Sequence, residues 1–416
     1  MQNTENLSEK SPSAGVKSAT PIWKSALKFL GILICLLGAV GAYIWFFETT
    51  GHSSPKRAPE KIADSGDKIV DSIRRGADFV KRHQEDDGHF SKGILDPKPA
   101  FTALIVDALA RSPEKYREKD NPFLKKAADA IVAKQQPNGS ICTPAVSLDT
   151  YSTCMSVLAL TALENPEYNA VIDKAKQYLL DVQYKDDEDN NPNFGSAGYT
   201  KGGRTSGDMT ANWVEALKAA GVKEGDPAFK NAEKFFQRIQ NNPEKNDKPN
   251  VGGKTVGSDG GFNYRPGESK PPDEIKNGVH VLKSYGLMSY AGLKSFMYMN
   301  VPKTDPRVES AYKWVKDNYT LDENKNIGAD GLYYYFQTMA KALAAYGEPT
   351  IVTSDGKSHL WAKELSDKII SLQDPDGSWH NKQSSRWMEN DTVMVTSFAL
   401  RGLSICHDFA KDHPEK

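Results

Sequence analysis

Along most of the chain, apolar positions recur with the 3.6-residue period of a helix rather than alternating as in a strand. Two kinds of helix are spelled out. In 124–132 (LKKAADAIV), Leu124, Ala127, Ala128, Ile131 and Val132 fall at i, i+3, i+4, i+7 and i+8, while Lys125, Lys126 and Asp129 take the other face. That is a surface helix with one buried stripe. The next helix differs. Tyr151, Cys154, Met155, Leu158, Ala159 and Ala162 keep helical spacing, but Ser, Val, Leu and Thr lie between them and no Lys or Arg interrupts. Such a helix is expected to be covered on most sides. Segments 101–110 (FTALIVDALA), 211–221 (ANWVEALKAAG), 336–347 (FQTMAKALAAYG) and 393–403 (VMVTSFALRGL) read similarly, some with a single charge.

The alternation repeats, and a loop marks each repeat. Gln84, Gln135, Gln183, Gln240 and Gln373 follow one another at gaps of 51, 48, 57 and 133 residues. The last gap holds one extra unit, in which 311–319 (AYKWVKDNY) replaces the Gln and 328–335 (GADGLYYY) forms the turn. Self-similarity at this period is the mark of a repeat protein, here of six units. Polar-faced helices alternating with apolar ones imply two concentric layers. The expected fold is therefore all-α, an α/α toroid of six helix pairs, about twelve helices. Closure into a ring removes the terminal faces that an open solenoid exposes. Strand signals are almost absent. The fourth unit carries a long irregular insertion, 241–280, dense in Gly, Pro and Lys; a loop of that length is usually functional or disordered.

A different pattern lies near the start. Positions 29–47 are uninterrupted by charge and mostly apolar, and as a helix they reach about 28 Å, one bilayer core. Trp23, Tyr43 and Trp45 stand near the edges, where amphipathic rings settle. No small-x-small cleavage site follows before Glu48, so the segment reads as a retained single-pass anchor rather than a signal peptide. Lys10, Lys17, Lys24 and Lys28 precede it, which places the N-terminus inside and the large domain outside the cytoplasm. The chain thus divides into a cytoplasmic tail (1–28), an anchor (29–47), a linker (48–66), the ring (67–407) and a short tail (408–416). The lipid bilayer is the first expected partner.

Composition narrows the classes. Hydrophobic residues make up 38% of 416 and charged residues 26%, with a formal net charge of -1. A chain this balanced, without a basic block in its ring region, offers nucleic acid no footprint. The four cysteines, Cys35, Cys142, Cys154 and Cys406, are scattered without a CxxC pair, so they form no disulfide framework.

The repeat loops carry a resemblance. QDPDGSW (373–379), QEDDGHF (84–90) and QQPNGSI (135–141) look like the Gln-Trp motif of the terpene cyclase and protein prenyltransferase superfamily, in particular its squalene-hopene cyclase-like branch and that branch's repeat-only bacterial relatives. Segments 284–298 (SYGLMSYAGLKSFMY), 328–343 (GADGLYYYFQTMAKAL) and 386–403 (RWMENDTVMVTSFALRGL) add to it. The likeness spans about 67–407 and implies the α/α toroid. It also implies an isoprenoid or other hydrophobic ligand, bound or transformed in a central cavity. Physically, a loop Gln can bond groups left unpaired at a helix end, Gly permits the reversal, and the aromatic covers the joint between units. That makes the loops structural staples.

Cyclases of this kind protonate an alkene with a poised carboxylic acid, then stabilise cations on aromatic faces. In the family the acid lies in an Asp-x-Asp-Asp-Thr-Ala segment. The matching stretch here is Met388, Glu389, Asn390, Asp391, Thr392 and Val393, so the donor position holds Asn390, an amide, and only Asp391 and Thr392 agree. Asp149, Asp208 and Asp391 each stand at the start of an apolar helix. There they serve as N-caps or gather at one mouth of the ring as acids, bases or a cation site. With Glu389 they form the candidate catalytic set. Tyr151, Trp213, Tyr290, Tyr334 and Trp387 are the candidate substrate-binding aromatics, with plain core packing as the alternative. The spacing of Asp149 and Cys154 does not match the family's zinc ligands, and His83 and His89 fit no zinc pattern. No metal and no cofactor is expected. GGKT (252–255) lacks the first Gly and the strand of a phosphate loop. Two further readings stay open: a non-catalytic extracytoplasmic binding or scaffold toroid, and an acid/base enzyme on glycans.

Overall fold

The computed structural model describes residues 65–90 and 98–414. Among them are twelve α-helices in six consecutive pairs: α1 (Lys68–Arg82) with α2 (Lys98–Ala110), α3 (Pro122–Val132) with α4 (Asp149–Ala162), α5 (Asn169–Asp181) with α6 (Gly207–Ala219), α7 (Pro227–Ile239) with α8 (Gly286–Tyr298), α9 (Pro306–Asn318) with α10 (Leu332–Tyr346), and α11 (Trp361–Ser371) with α12 (Thr392–Asp412). The even-numbered helices pack each on the next, and α12 returns to α2, so the inner layer is a closed ring. The odd-numbered helices lie against it from outside.

Burial follows the sequence pattern. From Pro99 to Ala110 every residue of α2 is buried, because the ring covers one side and the outer layer the other. By contrast, α3 buries Leu124, Ala127, Ala128, Ala130 and Ile131 and turns its lysines to solvent. One apolar cluster runs through all twelve helices.

The loops are the joints. Nε2 of each marker Gln donates twice, to the Gly carbonyl of its own turn and to a first-turn carbonyl of the next outer helix. The distant acceptors are Phe123 for Gln84, Val171 for Gln135, Ala228 for Gln183 and Arg307 for Gln240, all at 2.8–2.9 Å. Gln373 closes the circle with a 3.0 Å bond to the Ser72 carbonyl of α1. The fifth unit lacks the Gln, and Tyr319 makes the bridge instead, donating from its hydroxyl to Glu364 of α11 at 3.1 Å. Trp379 fills the joint behind Gln373, fully buried, with its indole N–H on the Ile369 carbonyl at 2.8 Å.

The expectation of a strand-free chain needs correction. Insertion 241–280 is ordered and carries most of a four-stranded sheet, order β1-β2-β4-β3, from β1 (Asn250–Val251), β2 (Lys254–Thr255), β3 (Glu274–Lys276) and β4 (Val279–Val281). A hairpin, β5 (Thr350–Val352) with β6 (Ser358–Leu360), follows α10. Strands of two or three residues are too short for alternation to register. Asn241 pins the insertion, its buried amide donating to Leu282 and Ser284 and accepting from Gly257 and Asn263. Cys142, Cys154 and Cys406 are buried free thiols. Among the described residues no helix is long and apolar enough to cross a membrane; the anchor expected at 29–47 lies outside them.

Candidate functional site

Asp208 lies in the first turn of α6, and the cap of that helix is already supplied two residues earlier. Ser206 Oγ accepts from the Met209 N–H at 3.0 Å, a role that Ser performs as well as Asp. The Asp208 carboxylate is therefore left for the lumen. There it accepts a 2.6 Å hydrogen bond from Tyr334 of α10, whose hydroxyl also accepts from Asn212 at 2.9 Å. Burial raises the Asp208 pKa, against the hydrogen bond from Tyr334 and the charges of Lys294 and Lys270. Four phenols, Tyr151, Tyr199, Tyr285 and Tyr334, are pushed up first by burial and next by the Asp208 charge. One weak acid thus sits in a nest of phenols at the N-terminal mouth of the inner ring.

Below the mouth the lumen closes. Ala103, Leu104, Tyr151, Met155, Leu158, Asn212, Tyr334 and Gln337 line a cavity of about 10 Å³, the space of about one water molecule. Asp107 and Lys341 form its floor. Beneath lies a network that spans the ring. Glu215 of α6 holds Lys294 of α8 at 2.8 Å and Lys341 of α10 at 2.7 Å. Asp107 of α2 holds Arg111 at 2.7 Å and Arg401 of α12 at 3.2 Å. Burial disfavours the Glu215 anion, yet the two lysines outweigh it and hold its pKa well below the carboxylate range. Lys341 is pushed down by burial, against the attraction of Glu215.

The contacts fix helix direction. Asp208 and Tyr334 meet near their helix N-termini, and Glu215 and Lys341 meet in the C-terminal halves, so α6 and α10 are parallel. Near the floor four cations (Arg111, Lys294, Lys341 and Arg401) face two carboxylates. The negative ends of the helix dipoles there offset the surplus.

The other sequence candidates occupy different places. Asp391 is the N-cap of α12, its Oδ1 accepting from Met394 N–H at 2.8 Å. Asp149 lies between the layers, where Cys142 and Tyr178 feel its charge. Of the three aspartates at inner-helix starts, Asp208 alone joins the phenol nest. Trp213 is fully buried and donates to the Leu179 carbonyl at 2.6 Å, and Tyr290 packs edge-on against Tyr335; both are core. Tyr151 and Tyr334 line the cavity. Trp387 is 40% exposed on the surface, in a left-handed conformation. No group of acidic, His or Cys side chains among the described residues is arranged to hold a metal.

Glu389 caps a helix other than its own. Its Oε1 accepts from the Tyr333 and Tyr334 N–H groups at 3.0 and 2.9 Å, and Oε2 accepts from Asn381 at 2.8 Å. The carboxylate thereby closes the N-terminus of α10 and positions Tyr334 behind Asp208. Burial raises its pKa to about 7, against these hydrogen bonds. Between the unfolded value of ~4.3 and about 7, the folded state then binds the extra proton, so the contribution of Glu389 to stability falls as pH rises through that window. Glu389→Gln is expected to remove this slope, which amounts to on the order of 2–4 kcal/mol in total. Urea midpoints for both proteins at pH 4.5 and pH 8 measure it.

The sequence reading passed over the floor network. Its signal was present as a charge set within an otherwise apolar stretch of each of five inner helices: Asp107, Glu215, Lys294, Lys341 and Arg401.

The class of molecule is an α/α toroid. No family model and no curated protein matches the chain. Among solved structures, it is similar to an apo variant of the type II terpene cyclase MstE from Scytonema, with 11% identity, TM-score 0.50, 82% of this chain and 98% of that one. A possible GH105 family member from Salmonella enterica aligns at 11% identity and TM-score 0.47 over 86% of this chain and 97% of that one. Protein geranylgeranyltransferase-I of Candida albicans aligns at 14% identity and TM-score 0.45 over 83% and 99%. At 11% identity the likeness to MstE is one of fold.

Proposed function

We propose that this ring binds a compact ligand at its N-terminal mouth, with Asp208 giving a proton or a hydrogen bond to a ligand oxygen. The reading rests on one observation: Asp208 is a lumen carboxyl with a raised pKa, held by Tyr334 and surrounded by phenols. Cyclisation of a polyprenyl chain fits less well. Protonating an alkene calls for a strong acid, whereas burial makes Asp208 a weaker one, and Asn390 stands at the family's donor position. A chain of that size needs a pocket of several hundred Å³, while the cavity between Tyr151 and Tyr334 has room for about one water. The apolar stretch 29–47 would tether the ring to a bilayer, with the ring outside the cytoplasm.

The test is thermal-shift screening of the purified ring against polyprenols, sugar acids, phosphate esters and amines, with mass spectrometry of co-purified molecules. A polar ligand should raise the melting temperature of the wild type, and Asp208→Asn should remove at least half of that shift. Recovery of a polyprenyl lipid, lost in Asp208→Asn, would restore the isoprenoid reading.

A further inference from the structure

The mouth carries a cluster of cations that the Asp208 nest does not use. Tyr264 lies beside the start of α6, its carbonyl accepting from Gly207 N–H at 2.8 Å. Lys270 Nζ sits 3.7 Å above the Tyr264 ring, and the Arg204 guanidinium 5.3 Å from the same ring. On the strap between α11 and α12, Arg386 stacks on the exposed indole of Trp387 at 4.9 Å, and that indole packs against Gly331 at the start of α10. Strap and insertion face each other: Lys270 is pushed down by burial and also by Arg204, Arg386 and Arg265.

The local charges do not balance. Arg204, Arg265 and Lys270 share one carboxylate, Glu268, at 2.9, 2.7 and 4.0 Å, and Arg386 pairs with Asp330 at 2.7 Å. Among these ion pairs four cations meet two carboxylates, and burial disfavours the ionisation of Asp208, the third acid near Lys270. The floor of the lumen has the same surplus, but helix C-termini offset it there. At the mouth the helix N-termini are positive and add to it. Glu389 directs its oxygens to the α10 N–H groups and Asn381 rather than to these cations. A cationic ligand would be repelled at this rim. An anionic one would gain from the unmatched cations and the helix N-termini.

Resting on the mouth as the binding site, we propose that its ligand carries an oxyanion, a carboxylate or phosphate seated by Lys270, Arg204 and Arg386, with the Trp387 indole packing on the body of the molecule. Trp387 and Met388 are consecutive non-glycine residues with φ of 56 and 65°, a backbone arrangement that costs energy. It is the arrangement that presents the indole at the rim. The ligand oxygen nearest the lumen then meets Asp208, whose ionisation burial disfavours.

Titration calorimetry of the ring with inorganic phosphate, phenyl phosphate and vesicles of phosphatidylglycerol or phosphatidylcholine tests this. Phenyl phosphate should bind more tightly than phosphate, and Trp387→Ala should abolish that preference. Lys270→Met and Arg386→Met should each weaken both phosphates at least tenfold, with Lys313→Met on the outer layer unchanged. Binding to phosphatidylglycerol vesicles but to neither free phosphate would assign the oxyanion to a lipid headgroup. Equal affinity in Lys270→Met, Arg386→Met and wild type, or no binding by any of these probes, overturns the oxyanion site. If the screen with Asp208→Asn still reports a ligand in that case, the mouth stands and only its charge preference fails.

Discussion

Glu215→Ala is expected to lower the stability of the ring by about 3–5 kcal/mol, the cost of stranding a buried charge whose partner is removed. Here two charges are stranded. Lys294 and Lys341 come from different helices, and each is almost wholly buried where it meets Glu215. Without the carboxylate they face each other and Arg401 in a lumen without room for a solvation shell. The same argument predicts rescue. Glu215→Met with Lys294→Met and Lys341→Met replaces the triad by apolar volume, and should recover most of the loss, because well-packed apolar groups match buried ion pairs in stability. Failure of the triple variant to recover would mean that the triad also dictates helix register. Urea midpoints at neutral pH give both values. Acid supplies an independent readout. The folded pKa of Glu215 lies below its unfolded value, so its contribution is fully present above pH ~4.3 and is lost as pH falls toward the folded value. The gap between wild type and Glu215→Ala should therefore begin to narrow below about pH 4 and close only in strong acid.

How far the sequence revealed this molecule depends on the range of each interaction. Helix pairs and joints are local, so period and repeat expose them: the stripe of α3 and the Gln-to-Gly spacing of each loop are visible within a few dozen residues. The site is not local. Whether an Asp near a helix start becomes a cap or a lumen acid depends on its neighbour. Ser206 takes the cap of α6 and releases Asp208, while nothing stands in for Asp391, which caps α12 itself. A lone charge on an apolar helix is ambiguous alone, and Glu215 becomes intelligible only once the ring sets α6, α8 and α10 side by side. The inner helices are covered on both faces, so helical spacing could not tell which aromatics reach the lumen. Trp213 and Tyr290 turned to core, Tyr151 and Tyr334 to the cavity.

The seam between the sixth and first units is where one methyl group should expose the ring's non-covalent joint. Gly377 has φ of 93°, and a Cβ there would lie 2.5 Å from the Arg75 carbonyl of α1. Gly377→Ala therefore carries a backbone cost and a steric one. Gly347 separates them, since its φ is 80° and a Cβ would meet nothing within 4 Å. Gly347→Ala should cost about 1 kcal/mol from conformation alone. Gly377→Ala should cost about 2–4 kcal/mol, because Arg75 is backbone in a packed helix and must move. Gly139→Ala supplies the second comparison. Its Cβ would strike the Lys174 carbonyl at 2.4 Å, the same collision at an internal joint. There α3 and α5 are both chained to α4, and the joint can loosen without releasing either helix. At the seam no peptide links α12 back to α1. The first helix is held by packing on α12, by Gln373 on the Ser72 carbonyl and by Arg82 on the Asp376 carbonyl. Gly377→Ala pushes α1 away from all three at once. Hydrogen exchange should show protection lost across Lys68–Arg82 in Gly377→Ala and retained there in Gly139→Ala, which is the behaviour of a closed ring with one non-covalent joint. Equal loss in both would mean that the ring unfolds as a unit and that its seam is no weaker than its other joints.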